Sequence, residues 1–293
     1  MSLKAIKAKI KSVKNLKKIT RALEVVSTVK LQRVKDQSEK LKNYLQDLLM
    51  IISFLGEKVD IFEENNNFAD KQLAIVVTSD RWLCWSLNSK LLKKVYENYK
   101  DQKDKVDFFV IGKKWLEYLV RMWFNVVGNL RLKDTFEEKD LLPLYSFLNQ
   151  KFANYWKIDI WFNYFKNTLV QIPVDMQIYP FKKDNFISFL KQIDIDTNLE
   201  FKIFNKELII EPDIESVRKE IMRQIRNYMI YSAILQNKTW EHAARMIAMK
   251  NAGDNSDKMI KTLTLSFNKA RQASITKEIS EITSAKMAIE ENS

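Results

Sequence analysis

The chain has 293 residues, 46% hydrophobic and 29% charged, a balance that excludes intrinsic disorder and allows one large or two small domains. No run approaches the roughly 18 consecutive apolar residues of a spanning helix, the lysine-rich start lacks the apolar centre of a secretory signal, and a single cysteine, Cys84, excludes an internal disulfide framework, so a cytosolic protein is expected. Of the net charge of +12, residues 1–40 carry +9, twelve Lys or Arg against Glu24, Asp36 and Glu39, which suits nucleic acid, an anionic lipid surface or a solvated helix face.

Residues 3–55 contain neither glycine nor proline, and apolar side chains recur three or four apart at Leu3, Ile6, Ile10, Val13, Leu16, Ile19, Leu23, Val26 and Val29. One helix is predicted, stopped by Gly56 and roughly 80 Å long at 1.5 Å per residue, which requires a partner. From 57 to 211 the pattern changes to short β-rich runs, 72–80, 106–112 and 157–165, separated by helical stretches such as 86–99. Runs 169–180 and 201–212 add edge or antiparallel strands, and charged residues 133–140 read as a loop. Pro212, Asp213 and Glu215 open a second long helix. Its seam is Ile214, Val217, Ile221, Ile225, Tyr228, Ile260, Leu263, Phe267, Ala270, Ile275, Ile279 and Ile282, interrupted by Gly253. The expected fold is α/β: a long antiparallel two-helix coiled coil from both termini (1–56 and 212–293) with an inserted small Rossmann-like α/β domain (57–211).

Groups that chemistry would need are sparse. A nucleotide hydrolase requires GxxxxGK[ST], and Gly112-Lys113-Lys114 lacks the first glycine and the hydroxyl residue. The sole histidine, His242, has no second histidine or cysteine cluster beside it, so it reads as a hydrogen-bonded helix residue rather than a metal ligand. Cys84 has no neighbouring base and reads as a buried structural thiol. No catalytic group and no cofactor site is expected in this chain.

Residues 241–282 carry a longer pattern, EHxxRMxAMxNAxxN followed by LxLxxNxxRQxxITxEIxEI, with Glu241, His242, Arg245, Met246, Met249, Asn251, Asn255, Asn268, Arg271, Gln272, Thr276, Glu278 and Glu281 in register. This closely resembles the C-terminal signature of γ subunits of F-type ATP synthases, and residues 6–33 look like that family's N-terminal helix. The resemblance implies a rotating central stalk of a proton-transporting enzyme, at the cytoplasmic face of the cell membrane. Its partners would be the α and β subunits of the F1 head, an ε-type subunit and the membrane c-ring, with no nucleic acid and with membrane contact only through the complex. Catalysis would belong to the β subunits. Arg271 and Gln272, with Thr276 and Glu278 nearby, match positions that meet a loop of the catalytic subunit. Lys9, Lys18, Arg21, Lys30 and Arg33 would form a basic face toward the head ring, and Leu23 stands where the family usually has methionine. Two alternatives stay open: the rotor of an F1-like ATPase serving another purpose, and a basic coiled-coil binder of nucleic acid or membranes.

The tryptophans are unusual. The family's SDRGLCGxLN turn reads SDRWLCWSLN here, so Trp82 and Trp85 replace turn glycines, and Trp115, Trp123, Trp156, Trp161 and Trp240 also stand where glycine or another small residue is expected. Glycine itself occurs only four times, where average usage would give roughly twenty. Both facts fit a gene whose UGA codon means glycine. The competing reading is genuine drift to tryptophan in a divergent chain.

Overall fold

The computed structural model describes residues 2–55, 69–79, 85–165, 171–195 and 210–290. The chain divides into two compact units, Val29–Ala244 and the pair of segments Met1–Thr28 and Arg245–Ser293. Two long helices, α1 (Leu3–Leu55) and α6 (Ile214–Glu290), contribute to both.

The larger unit is built on five strands, β1 (Lys71–Val77), β2 (Val106–Ile111), β3 (Asn125–Leu130), β4 (Tyr155–Phe165) and β5 (Gln171–Tyr179), in the order β3-β2-β1-β4-β5. The first four are parallel and β5 is an antiparallel edge, where Pro173, which has no amide to donate, is tolerated. Helices α2 (Trp85–Tyr99), α3 (Lys114–Arg121), α4 (Leu142–Lys151) and α5 (Lys183–Gln192) connect or flank them. This is the strand order of doubly wound sheets, as the Rossmann-like expectation requires.

Both faces of the sheet are covered, so β1 and β2 are buried almost throughout. The period of two sorts their side chains. Leu73, Ile75 and Val77 join Phe109, Ile111, Ile160 and Phe162 in a core shared with α1, α4, α5 and α6. Ala74 and Val76 join Phe108, Val110 and Trp161 against α2 and α3. On the second face Asp159 is buried, and burial raises its carboxyl pKa. Lys157 at 2.6 Å and the Tyr99 hydroxyl at 3.3 Å pull the other way.

The predicted runs 72–80, 106–112 and 157–165 correspond to β1, β2 and β4, and 169–180 to β5. Most of 201–212 lies outside the described residues, as do Gly56, Trp82 and Cys84. The edge strand β3 was not foreseen, because NVVGNL is only half-buried and carries Asn and Gly in place of β-branched residues.

In the smaller unit α1 and α6 run antiparallel. Two ion pairs fix this: Lys17 meets Asp257 at 2.6 Å and Arg21 meets Asp254 at 2.7 Å, so α6 recedes as α1 advances. The seam keeps a strict 3.5-residue spacing. On α1 the buried residues Ile6, Val13, Thr20 and Ser27 lie seven apart, with Ile10, Lys17 and Glu24 half-buried between them. On α6 it passes through Met249, Gly253, Ser256, Ile260, Leu263, Phe267, Ala270 and Ser274.

The seam read from sequence therefore needs correction. Leu16, Ile19, Val26 and Val29 are exposed, and so are Ile275, Ile279 and Ile282. A seam that followed every apolar residue drifted off the constant repeat that two paired helices impose, in which Thr20 and Ser27 take inward positions. Their hydroxyls are satisfied within the helix, by Lys17 O at 3.0 Å and Leu23 O at 2.7 Å. At Gly253 the close approach is explicit, since an added Cβ would lie 3.1 Å from Arg21 Nε.

Asp213 caps α6 by accepting from the Ser216 amide at 2.9 Å and from its hydroxyl at 2.7 Å, which hold its carboxyl below the ordinary range. A lowered carboxyl pKa contributes stability that is present above the unfolded value and lost as pH falls through the folded one. Acidification is expected to fray the start of α6 in wild type, with a flatter acid limb in Asp213→Asn, read by backbone NMR at residues 214–217. In the core, Leu45 of α1 is fully buried, and Leu45→Ala is expected to cost about 2–5 kcal/mol in urea unfolding.

Candidate functional site

Doubly wound sheets commonly bind ligands at the carboxyl ends of the strands, where the strand order reverses, here between β1 and β4. In this chain α6 meets the β4 side of that level. Asn163, two residues beyond the Val76–Trp161 pairing, donates its amide and its side-chain Nδ2 to Asn237 Oδ1, at 3.3 and 3.0 Å. Gly112 is equally committed. Its φ of +119 demands glycine, an added Cβ would lie 2.4 Å from Thr78 Oγ1, and its amide donates to Leu130 O. The amide that a phosphate would need is already in use.

Next to Asn237 the signature continues inside the protein. Lys238 and Glu241 form an ion pair at 3.2 Å with both side chains at most 4% exposed, and His242 is fully buried. Among the described residues no cluster of His, Cys, Asp or Glu could hold a metal. Two surface recesses, of about 250 and 300 Å³, are lined by mixed residues such as Lys35, Tyr164 and Asp194 in one and Phe152, Arg223 and Arg226 in the other.

The second signature block has the opposite character. Arg271, Gln272, Thr276 and Glu278 are all exposed. Thr276 Oγ1 donates to Gln272 O at 3.0 Å, and Glu278 accepts from Ser274 Oγ at 3.2 Å. Extending the register of the two ion pairs brings Leu3, the first residue of α1, opposite Arg271 and Gln272. Residues 275–290 therefore continue as a helix beyond the seam with α1. Ile275, Ile279 and Ile282 lie on one face of that helix, Ile282 with 69% of its surface exposed. On α1, Leu16, Ile19, Val25 and Val26 add to the exposed apolar surface.

The predicted basic face divides. Lys9, Lys18 and Arg33 are exposed, whereas Arg21 and Lys30 are engaged within the fold. Arg21 bridges Glu24 and Asp254, which raise its pKa further, and Lys30 pairs with Asp134. Leu23 is half-buried. Thus the structure brings Arg271, Gln272, Thr276 and Glu278 onto one stretch of helix but does not gather the five cations into a single free patch.

This geometry defines a class of protein in which two long paired helices accompany a doubly wound sheet, one of them hydrogen-bonded to the end of β4 and ending in a stretch with an exposed apolar face. A family profile described as ATP synthase matches residues 2–289. The ATP synthase gamma chain of Akkermansia muciniphila is 32% identical over 295 residues, covering 99% of each chain. That of Xanthomonas axonopodis pv. citri is 34% identical over 297 residues, covering 97% of this chain and 98% of the relative. A chain of the Euglena gracilis mitochondrial ATP synthase, OSCP/F1/c-ring in rotational state 3, superposes with a TM-score of 0.65 at 16% identity over 98% of this chain and 94% of that one. One from the Tetrahymena thermophila central stalk/c-ring gives 0.57 at 20% identity over 80% and 99%. The chain belongs to the ATP synthase family, among the γ chains.

The split between the two signature blocks separates folding from surface roles. Lys238→Met leaves Glu241 without this partner in a buried setting and is expected to lower stability by about 3–5 kcal/mol in chemical unfolding, far more than Arg271→Ala at its exposed position.

Proposed function

We propose that the chain works as the rotating central stalk of a proton-transporting F-type ATP synthase, coupling ion flow through a membrane c-ring to ATP synthesis or hydrolysis at β subunits. The carrying observation is the end of α6, where residues 275–290 run on beyond the seam with α1 and keep an isoleucine face exposed. An isolated helix of this length is marginal in water and gains stability when an apolar face is covered. A surrounding sleeve of head subunits would cover it, and Arg271, Gln272, Thr276 and Glu278 would then meet those subunits. Lys9, Lys18 and Arg33 would face acidic parts of the head, with Arg21, Leu23 and Lys30 beside them.

Coupling follows from differential contact. A stalk without the head's rotational symmetry touches each catalytic subunit differently, and a contact can shift a subunit's equilibrium only by the difference it makes between conformations. Turning the stalk therefore carries each site through its states in sequence. In this reading segments 1–56 and 212–293 supply the stalk, and 57–211 supplies contacts with an ε-type subunit and the c-ring. Among the described residues no helix is long and apolar enough to cross a membrane; in this reading the chain is held at the cytoplasmic face of the membrane through its partners in the complex.

The test is the Arg271→Ala/Gln272→Ala variant in the assembled complex, observed by single-molecule ATP-driven rotation and by ATP yield. A fall of at least several-fold in rotary rate or yield is expected. Unchanged rotation and yield would remove both residues from the coupling. Isolation of the native complex in mild detergent should recover the chain with α, β and ring subunits, whereas recovery with nucleic acid, lost steeply as salt rises, would favour the basic-binder alternative.

A further inference from the structure

Helix α3 (Lys114–Arg121) ends with Met122 as its C-cap, and Trp123 follows with φ of +63°. The Trp123 amide donates to Val120 O and the Phe124 amide reaches back to Leu119 O, both at 3.1 Å. This pair of bonds is the Schellman closure, and the apolar contact that accompanies it is supplied by Leu119 and Phe124, buried in one cluster. Every part of the motif is regular except the residue at its left-handed position. That position is glycine's, because any Cβ there crowds the neighbouring carbonyl and a bulky side chain is a marked outlier. Asp194 also has positive φ, at 61°, but aspartate is one of the few residue types that visit this region readily.

The indole of Trp123 offers no compensation. It is 86% exposed and makes no ring contact or side-chain hydrogen bond among the described residues. Two other indoles fit only in part: the rings of Trp115 and Trp240 meet Tyr118 and Phe165, yet their buried Nε1 groups find no acceptor among the described residues, where tryptophan ordinarily has one. Trp161 is the contrast. It is 2% exposed, its Nε1 donates to the Tyr99 hydroxyl at 3.1 Å, its ring meets Tyr99 edge-on, and the Lys94 ammonium lies 5.4 Å from its centroid. A glycine at 161 would empty a filled part of the core.

We infer that the protein made in its own cells carries glycine at 123, 115 and 240, where a UGA codon is decoded as glycine, and a true tryptophan at 161, from UGG. These four tryptophans therefore divide by structural fit, and the chain's scarcity of glycine is in part a product of translation by the standard table.

Tandem mass spectrometry of peptides from the native protein, spanning 115, 123, 161 and 240, reads this directly beside the codons of the gene. Glycine at the first, second and fourth positions with tryptophan at 161 is the expected result. Tryptophan at 123, or glycine at 161, overturns the inference, and tryptophan at 115 or 240 overturns it for that position. A second measurement uses the chain made with all seven tryptophans in a standard-code host. Trp123→Gly should raise the melting temperature by a few degrees, Trp123→Ala should raise it less because the Cβ remains, and Trp161→Gly should lower it. Equal gains from glycine and alanine at 123 would show that the left-handed backbone is not the reason for glycine there.

Discussion

The constant 3.5-residue repeat that pairs α1 with α6 is the constraint on which the smaller unit depends. It brings Ile6, Ile10, Val13, Met249, Ile260, Leu263 and Phe267 inward together with the small or polar Thr20, Ser27, Gly253 and Ser256, so only part of the seam buries apolar side chains. Burial contributes roughly 25 cal/mol per Å², so the stretch around Thr20, Ser27, Gly253 and Ser256 gains least from it. The ion pairs Lys17–Asp257 and Arg21–Asp254 fix its register, but pairs this exposed add only about 0–1 kcal/mol each. Further apolar side chains, Leu16, Ile19, Val25 and Val26 among them, lie on the outside. In the complex proposed above, the surrounding subunits would supply the burial that the seam forgoes.

Much of the fold was legible because its signals are long. A helix over 3–55 follows from the absence of Gly and Pro, and the buried parallel strands follow from continuous apolar runs such as LAIVV and FFVI. What was not legible depended on tertiary context. The inward choice of Thr20 over Ile19 is made by the partner helix, not by hydrophobicity, and β3 is a strand because β2 offers it an edge. For the candidate site, the signature singled out one stretch of α6 but gave no hint that Glu241, His242 and Arg245 are buried while Arg271 and Gln272 are exposed. Burial divides a motif that is continuous in sequence, and no spacing rule on one helix predicts where the surrounding layers end.

The sheet has the strand order of folds that bind ligands beyond the carboxyl ends of their strands. At that level β4 meets α6 through Asn163 and Asn237, and the Gly112 amide at the end of β2 donates to Leu130 O. Two polar groups that elsewhere would greet a phosphate are here part of the framework.

The contact between α6 and β4 has a mechanical consequence. Apolar packing resists turning only through the interdigitation of its side chains, which must climb over one another if a helix rotates. Hydrogen bonds are directional and fail when a helix turns a few tens of degrees about its axis. Within the larger unit α6 is keyed by such bonds on several sides: Asn237 to Asn163 of β4, the Asn227 carbonyl to the Tyr145 hydroxyl of α4, and Gln224 to the Tyr44 hydroxyl of α1. Torque applied along α6 would therefore pass into the sheet instead of being lost as slip, so the helix behaves as a splined axle rather than a greased one.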